Sequence, residues 1–505
     1  MNIPSFNSAT APQRYLLAVL TGILLAIMVI YSNPLCSFIA LVPLIVAIRQ
    51  AGWKQALLLG WVSGAVLSLF TSFWMLQSVA AFTGGKWYLA LMAYLASSVL
   101  LGLVMLLAAV CLYPFTRNNH SLPVKSLGIA CAWAAYEFLF GYFLTGSFWF
   151  QPALYKGMVS TGFLLQGAAF GGASLISFFC AWINAALALV YLSQKRPQLW
   201  FAGLILVLFF GLSYTATLVY PERTEGKQAA VALINVNQPV RLQWDEHTGN
   251  ELVQQMLRLN EEAGRSGAGL KVWTEAVVPW TFRKDDDFLN AILDAGSGKT
   301  GHIIGLLTSS AGTAFYNSAY YLENMQQPVQ RYDKQFPLAY AEVPLSIGAM
   351  PLLKGAGLEV LPGSKSVVFH TLVGRAGITV CNESLVDRAY YGLADQDADF
   401  LTVISNDGWI ANSDYLLRQH FYSARIHAVA YRKDVLVNSN LGYSGAFSSM
   451  GEVLLKRKED TGFTETVLLS RNAGKTFYAR FPLFLICFYS LSLLLIYPLN
   501  PVKKE

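Results

Sequence analysis

Long apolar runs fill the first 220 residues and return once near the end of the chain. A helix needs about 20 apolar residues to cross a bilayer, and seven runs approach or exceed that length. One shorter run, Leu35–Ile48, completes the set. The pattern predicts eight spans: Tyr15–Tyr31, Leu35–Ile48, Ala56–Val79, Tyr88–Tyr113, Leu127–Leu144, Gly162–Leu192, Trp200–Tyr220 and Phe481–Tyr497.

Residues 221–480 have a different pattern, in which short β-rich runs are bounded by turn residues. The predicted strands are Ala229–Val236, Leu270–Thr274, His302–Leu307, Ser318–Leu322, Ser366–Leu372, Gly377–Val380 and Phe400–Ile404. Several are continuous apolar runs, as strands buried on both faces require. Predicted helices intervene at Glu246–Ala263 and Tyr415–Tyr431, so the pattern indicates an α/β domain with sheets between helices.

These patterns divide the chain into a polytopic α-helical membrane domain (1–220, seven spans), a catalytic-type domain (221–480) and a last transmembrane helix with a short tail (481–505). Composition agrees, because 54% of residues are hydrophobic and only 13% are charged. The membrane parts contain 11 Lys and Arg against 2 acids, so the basic balance comes from residues flanking helices. It is no indication of nucleic-acid binding.

The positions of the basic residues predict an orientation. If all eight spans cross the membrane, most of the basic residues that flank them lie on the same side of it: Arg14, Arg49, Lys54, Arg117, Lys125, Lys195, Arg196, Lys503 and Lys504. Because cytoplasmic loops are enriched in Lys and Arg, both termini are expected to be cytoplasmic. Residues 221–480 are then expected in the periplasm of a bacterial inner-membrane protein.

Cys381 is the single cysteine of the 221–480 domain; the other five lie in apolar spans. An unpaired thiol in a disulfide-forming compartment calls for a reason. Two interpretations remain open from composition: a buried inert residue, or a nucleophile.

Reactive side chains directly follow three of the predicted strands. Glu275, Cys381 and Asp407 each lie at or near a strand end, where α/β folds place rigidly held, accessible groups. A carboxylate at Glu275 can take a thiol proton, and an ammonium at Lys334 can lower the thiol pKa and stabilise an oxyanion. Glu342 and Glu383 are expected to hold and tune that lysine, although any one of these charges alone is typical of a solvated surface.

The ordered triplets carry a resemblance. Trp273-Thr274-Glu275, Tyr332-Asp333-Lys334 and Cys381-Asn382-Glu383 resemble the Glu–Lys–Cys triad of the nitrilase (carbon–nitrogen hydrolase) superfamily. With eight spans, and with Gln243-Trp244-Asp245, Tyr316-Asn317-Ser318 and Ser405-Asn406-Asp407, the chain is similar to the apolipoprotein N-acyltransferase family in particular.

The resemblance implies an extracytoplasmic nitrilase-like αββα sandwich. It also implies roles for seven residues: general base Glu275, oxyanion stabiliser Lys334, nucleophile Cys381, supporting carboxylates Glu342 and Glu383, and pocket residues Trp244 and Asn317.

The implied reaction is ping-pong. Cys381 would take an acyl chain from a phospholipid as a thioester and pass it to the N-terminal amine of a diacylglyceryl-modified apolipoprotein. Neither a metal nor an organic cofactor is implied.

Two alternatives to this reaction stay open. One is a membrane acyltransferase or amidase with the same triad but a different acceptor, and the other is a catalytically silent scaffold. The first is motivated by Asn382, where the family usually has an aromatic residue, and by the sequence before Glu342.

Two further features concern polar residues. His420 and His427 lie seven apart on one predicted helix and are expected to pack or form hydrogen bonds. Glu137 lies inside a predicted span, where a carboxyl either faces a cavity or is a neutral structural group.

Overall fold

The computed structural model describes residues 9–117, 119–143, 152–222, 228–239, 245–278, 280–295, 300–310, 312–324, 329–339, 341–347, 350–353, 359–410, 413–472 and 474–497. Its helices are α1 (Ala11–Tyr31), α2 (Pro34–Ile39), α3 (Val42–Arg49), α4 (Trp53–Thr71), α5 (Met75–Phe82), α6 (Trp87–Arg117), α7 (Leu122–Phe143), α8 (Ala168–Ser193), α9 (Leu199–Val219), α10 (Glu246–Arg265), α11 (Asp287–Asp294), α12 (Asp387–Asp395), α13 (Asp414–Tyr431), α14 (Phe477–Arg480) and α15 (Phe484–Ile496). Its strands are β1 (Gln228–Asn235), β2 (Leu270–Val272), β3 (Gly301–Ser309), β4 (Phe315–Leu322), β5 (Gln330–Asp333), β6 (Leu345–Ile347), β7 (Met350–Leu353), β8 (Val368–Thr371), β9 (Gly374–Val380), β10 (Phe400–Asn406), β11 (Val435–Asn440), β12 (Ser444–Phe447), β13 (Val453–Arg457) and β14 (Phe463–Ser470).

The helical region matches the predicted spans. Among the described residues, six helices are long and apolar enough to cross a membrane, and two shorter apolar segments, Pro34–Arg49 and Phe484–Ile496, stand where the other two spans were predicted. Their outward side chains are apolar: Leu495 is 76% exposed and Leu16 is 68% exposed. These exposed side chains can contact lipid, because apolar groups lose no free energy when they face the hydrocarbon core of a bilayer.

Residues 228–470 form two six-stranded sheets. The first has the order β14-β1-β2-β3-β4-β5, and the second has the order β13-β12-β11-β10-β9-β8. Parallel pairing of β1, β2 and β3, and of β9, β10 and β11, brings the carboxyl ends of these strands to common edges. Seven of these strands overlap the predicted ones.

The two sheets pack face to face. Leu233 and Val272 of the first sheet and Ile378 and Ile404 of the second share one buried apolar cluster. The outer face of the first sheet packs on α10 and α11, and the outer face of the second packs on α12 and α13. The result is the predicted αββα sandwich.

A buried asparagine joins the sheets. Asn438 on β11 donates through Nδ2 to the carbonyl oxygens of Ile234 (2.9 Å) and Val272 (2.8 Å) in the first sheet. Because buried carbonyls lose free energy when left unpaired, these bonds fix the lateral position of β2 relative to β11. The strand that leads to Glu275 is therefore aligned with the second sheet.

Helix α13 connects the sandwich to the membrane helices. Gln419 donates to Val29 O (2.7 Å) and Ser32 Oγ (2.9 Å) at the end of α1, and Tyr415 donates to Thr71 O at the end of α4. At the opposite ends of α1 and α4, Arg14 near the start of α1 donates to Gln50 O, and Arg117 at the end of α6 donates to Ala51 O just before α4. The α/β domain and these basic residues thus lie at opposite ends of the helical region.

Candidate active site

Cys381 lies at the point where β9 ends and a short 3-10 helix, Cys381–Leu385, begins. Its backbone has φ = 57°, a left-handed conformation that is uncommon for a residue with a side chain and is often found at functional sites. The side chain is buried between the sheets. The strand end therefore presents the thiol in a fixed direction inside the domain.

Glu275 follows β2 and is also buried. Its Oε1 accepts a hydrogen bond from Asn317 Nδ2 (2.6 Å), and its Oε2 accepts one from the backbone N–H of Asn406 (2.7 Å). The thiol of Cys381 lies close enough for it and this carboxyl group to affect each other's pKa. The structure thus brings together the carboxylate and the sulfur that the sequence analysis singled out.

Lys334 follows β5, and its ammonium group is buried. Nζ donates to Glu342 Oε2 at 2.6 Å, and the Glu342 carboxylate also accepts from the backbone N–H of Leu338 (2.6 Å). Burial alone would lower the pKa of Lys334, but Glu342, Cys381 and Glu275 raise it above its ordinary value. Burial would raise the pKa of Glu342, and Lys334 outweighs that effect and lowers it. The pair is therefore ionic.

Asn317, on β4, connects the two carboxylates. Its Nδ2 donates both to Glu275 and to Glu342 Oε1 (3.0 Å), and its backbone carbonyl accepts from Lys334 N–H (2.9 Å). The side-chain amide and the backbone carbonyl of this one residue therefore hold the base, the lysine's partner and the lysine in one arrangement.

Glu383 interacts electrostatically with Lys334, as expected of a tuning carboxylate. It does not pair with the ammonium of Lys334; it accepts hydrogen bonds from Tyr332 Oη and from the backbone N–H groups of Val380 (2.7 Å), Gln335 (2.7 Å) and Phe336 (3.1 Å). This carboxylate links the end of β9 to the segment that follows Lys334. It positions the backbone on both sides of the site.

The resting thiol is protonated. Burial raises the pKa of Cys381 well above its usual value, Glu275 raises it further, and Lys334 only partly opposes them. Burial likewise raises the pKa of Glu275, against the opposing effect of Lys334. The arrangement suits removal of the thiol proton by Glu275 during attack, whereas a stable resting thiolate is not favoured.

Two contributors were not identified from the sequence. One is the backbone N–H of Asn406, which has no side-chain signature. The other is the pairing of Asp407 with His420: both residues were named, and His420 forms the hydrogen bonds expected of it, but the sequence did not indicate that its Nδ1 lies 2.7 Å from Asp407 Oδ1. The predicted pocket residue Trp244 lies outside the described residues.

A small, mainly apolar cavity of about 30 Å³ lies between the site and the membrane helices. Val29, Leu67 and Thr71 contribute from α1 and α4, and Leu385, Leu416 and His420 contribute from the α/β domain. The cavity therefore extends from the membrane helices to a residue that contacts the backbone of Cys381.

Two family models match the chain: "Apolipoprotein N-acyltransferase N-terminal domain" over residues 21–186 and "Carbon-nitrogen hydrolase" over residues 230–461. Together they extend over the helical region and the sandwich. The chain belongs to the apolipoprotein N-acyltransferase family.

Relatives with that name match along nearly the whole chain. The apolipoprotein N-acyltransferase of Geobacter metallireducens is 26% identical, covering 95% of this chain and 94% of its own, and that of Pasteurella multocida is 25% identical over the same shares. The protein of that name from Haemophilus influenzae is 28% identical over 78% of each chain. Among solved structures, a carbon-nitrogen hydrolase from Helicobacter pylori is 17% identical, with a TM-score of 0.37 over 48% of this chain and 89% of that one.

In this member of the apolipoprotein N-acyltransferase family, the residue after the thiol is an asparagine with a defined contact. Asn382 is buried and donates through Nδ2 to Phe336 O at 3.0 Å. It ties the nucleophile loop to the segment after Lys334, in parallel with Glu383. The two segments are therefore connected even though this position has an asparagine in place of the aromatic residue that is usual in the family.

Glu137 of the α7 span is a hydrogen-bond acceptor for three groups: Trp133 Nε1 (3.0 Å), Ser177 Oγ and the backbone N–H of Leu154 (3.2 Å). These bonds join α7, α8 and the loop between them. The carboxyl group therefore stabilises the packing of these segments, and it also lines a cleft with Arg388 and Tyr142.

Proposed function

We propose that this protein is an apolipoprotein N-acyltransferase that moves an acyl chain from a phospholipid, through a Cys381 thioester, to the N-terminal amine of a diacylglyceryl-cysteine lipoprotein. The observation that carries the proposal is the burial of Cys381 and Glu275 close enough to affect each other's pKa, beside the ionic pair of Lys334 and Glu342. The family membership supports the acceptor.

The first half-reaction is acylation of the thiol. Glu275 takes the proton as sulfur attacks the ester carbonyl carbon of the phospholipid, and Lys334 stabilises the negative charge that develops on the carbonyl oxygen. When the carbon–oxygen bond breaks, the departing alkoxide receives the proton from Glu275. The products are a thioester on Cys381 and a lysophospholipid.

The second half-reaction regenerates the enzyme. The acceptor amine attacks the thioester carbonyl, Glu275 takes an amine proton, and the carbon–sulfur bond breaks. The Cys381 thiolate then takes that proton from Glu275, which restores the thiol and the carboxylate and leaves an amide on the acceptor. The apolar side chains beside His420, among them Val29 and Leu67 of the membrane helices, support lipid-derived substrates, since long acyl chains need contact with the membrane side of the site.

The orientation follows from the charge pattern. We propose that the termini lie in the cytoplasm and the α/β domain in the periplasm of the inner membrane, because Arg14 and Arg117 lie at helix ends remote from that domain.

The proposal is tested by following the covalent intermediate. Incubation of the full-length enzyme with a labelled phospholipid is expected to produce a hydroxylamine-labile acyl adduct, and Cys381→Ala is expected to abolish it. Cys131→Ala is the matched control, because this thiol is buried in the helical region. An adduct that persists in Cys381→Ala would exclude the nucleophile.

The acceptor requires a separate experiment. Expression in bacteria depleted of their own enzyme is expected to restore triacylated lipoproteins. Adduct formation without restoration would favour a related acyltransferase or amidase with another acceptor.

A further inference from the structure

Helix α13 presents two buried histidines to the loop that contains Cys381. His420 Nε2 lies 3.1 Å from the carbonyl oxygen of Cys381, and His427 Nε2 lies 3.1 Å from that of Ser384. The two histidines are seven residues apart and thus on one face of the helix. Both hold the backbone of the nucleophile loop.

The second ring nitrogen distinguishes them. His420 Nδ1 is 2.7 Å from Asp407 Oδ1, which is a hydrogen bond. His427 Nδ1 is 3.8 Å from Asp387 Oδ1, beyond hydrogen-bonding distance, and the ring stacks on Tyr390 with 3.8 Å between ring centroids. His420 therefore has an acceptor at each nitrogen.

This difference determines the protonation state. A carbonyl and an ionised carboxylate only accept hydrogen bonds, and a neutral imidazole has one N–H to donate. His420 satisfies both of its partners only as an imidazolium, whereas one N–H suffices for His427. The pKa values agree in direction: burial would lower that of His420, but Asp407 raises it above its ordinary value, and burial lowers that of His427 to about 3.

Other charged groups face His420. Glu275 adds to the effect of Asp407, from the loop after β2. Lys156, in the loop between α7 and α8, lines the same cavity and contributes a positive charge on that side. Cys381 itself is a neutral thiol at rest. The net field of the carboxylates retains the proton on His420.

The contact has a chemical consequence for the adjacent peptide. The carbonyl that accepts from His420 belongs to the same peptide group as the N–H of Asn382. A charge-assisted hydrogen bond to the carbonyl polarises this peptide and strengthens its N–H as a donor. A backbone N–H next to the nucleophile is well placed to share the oxyanion with Lys334.

We propose that His420, kept as an imidazolium by Asp407, is a positioning residue for acyl transfer: it fixes the left-handed backbone of Cys381 and strengthens the Asn382 N–H toward the oxyanion. This inference rests on the proposed function. His427 has only the backbone-holding part of the role.

The pH profile of thioester formation tests the proposal in the unmodified enzyme. The imidazolium is present below the raised pKa of His420 and is lost as pH rises through it, so the rate constant is expected to fall on the alkaline side. Asp407→Asn keeps an oxygen acceptor but removes the charge that retains the proton. It is expected to move this alkaline fall to lower pH.

Two glutamine variants of the full-length enzyme complete the test. His420→Gln is expected to lower kcat for adduct formation about ten-fold, with KM nearly unchanged, and to remove the alkaline fall, because an amide does not titrate. His427→Gln, on the same helix face, is expected to retain the alkaline fall whatever its absolute rate.

The outcomes are distinct. If the wild-type enzyme forms no hydroxylamine-labile adduct, the proposed function fails. If it forms the adduct but His420→Gln retains the alkaline fall, or Asp407→Asn leaves the fall where it was, the role of His420 is wrong and the proposed function stands.

Discussion

At the scale of single residues, the Asn317 amide defines how protons are distributed in the site. Its Nδ2 donates to Glu275 at 2.6 Å and to Glu342 at 3.0 Å, so each of these oxygens acts as an acceptor. Glu342 is already paired with Lys334. Glu275 is thus the carboxylate that remains available to the Cys381 thiol.

Replacement of Glu275 by glutamine tests this assignment. Glu275→Gln removes the proton acceptor, so the rate of thioester formation is expected to fall by about 10²–10⁴-fold. Burial raises the pKa of Glu275, so the wild-type rate is expected to fall as pH drops through that raised pKa, and the variant is expected to lack this acid-side fall. The measurement is the single-turnover rate of adduct formation against pH.

The control for that variant is Glu262→Gln, which alters an exposed carboxylate on α10. It is expected to behave as the wild-type enzyme. An acid-side fall that survives in Glu275→Gln would assign the titrating base to another residue.

Glu275 and Cys381 could be predicted from the sequence because each follows an apolar strand, whereas Lys334 follows the polar strand β5 and was predicted from the family resemblance. The sequence could not predict the Asn406 N–H, since a backbone donor has no side-chain signature. Nor could it distinguish His420 from His427. The two are the same residue type on one helix, and their protonation depends on Asp407 and Tyr390, which come from other elements.

At the scale of secondary structure, β3 approaches the segment that leads to Glu275 without room for a side chain. A Cβ on Gly305 would lie 2.5 Å from Thr274 O and 2.6 Å from the Cα of Glu275. These are backbone atoms, so relief requires a shift of the segment itself. The glycine at position 305 therefore allows the backbone of Glu275 to lie where it does.

Gly305→Ala is consequently expected to displace Glu275 and to destabilise the domain by about 1–3 kcal/mol, the usual range for overpacking. Thermal unfolding in detergent and the adduct rate are the measurements. Gly211→Ala in α9 is the matched control, because its Cβ would meet no atom within 4 Å. Equal rates for the two variants would contradict the role given to this contact.

The helices and strands differ in how well they can be predicted from their own sequences. The spans and the buried parallel strands were predictable because their apolar runs are continuous; in β10, Phe400 and Ile404 face the other sheet while Leu401 and Val403 face helices. Strand β11 ends in Asn438, Ser439 and Asn440, whose polarity suggests a loop. The side chains of Asn438 and Asn440 instead donate to the carbonyl oxygens of Ile234 in β1 and of Gln238 just after it, a tertiary arrangement that local sequence does not specify.

At the scale of the whole molecule, the sandwich is connected to the membrane region at both of its chain ends and also through contacts of α13. It enters after α9 and leaves through α14 into α15. Hydrogen bonds from Gln419 and Tyr415 reach the ends of α1 and α4. The site therefore has a fixed height relative to the spans.

That fixed height has a kinetic consequence: substrates would be found by diffusion within the bilayer plane. The acylation rate is expected to follow the mole fraction of donor phospholipid in the micelle or vesicle, and to fall when inert detergent is added at constant bulk lipid concentration. Serial dilution of mixed micelles, at constant and at varying surface composition, makes the measurement. A rate that depended on bulk concentration alone would mean that lipid reaches Cys381 from the aqueous side, as a solute rather than as a neighbour in a two-dimensional fluid.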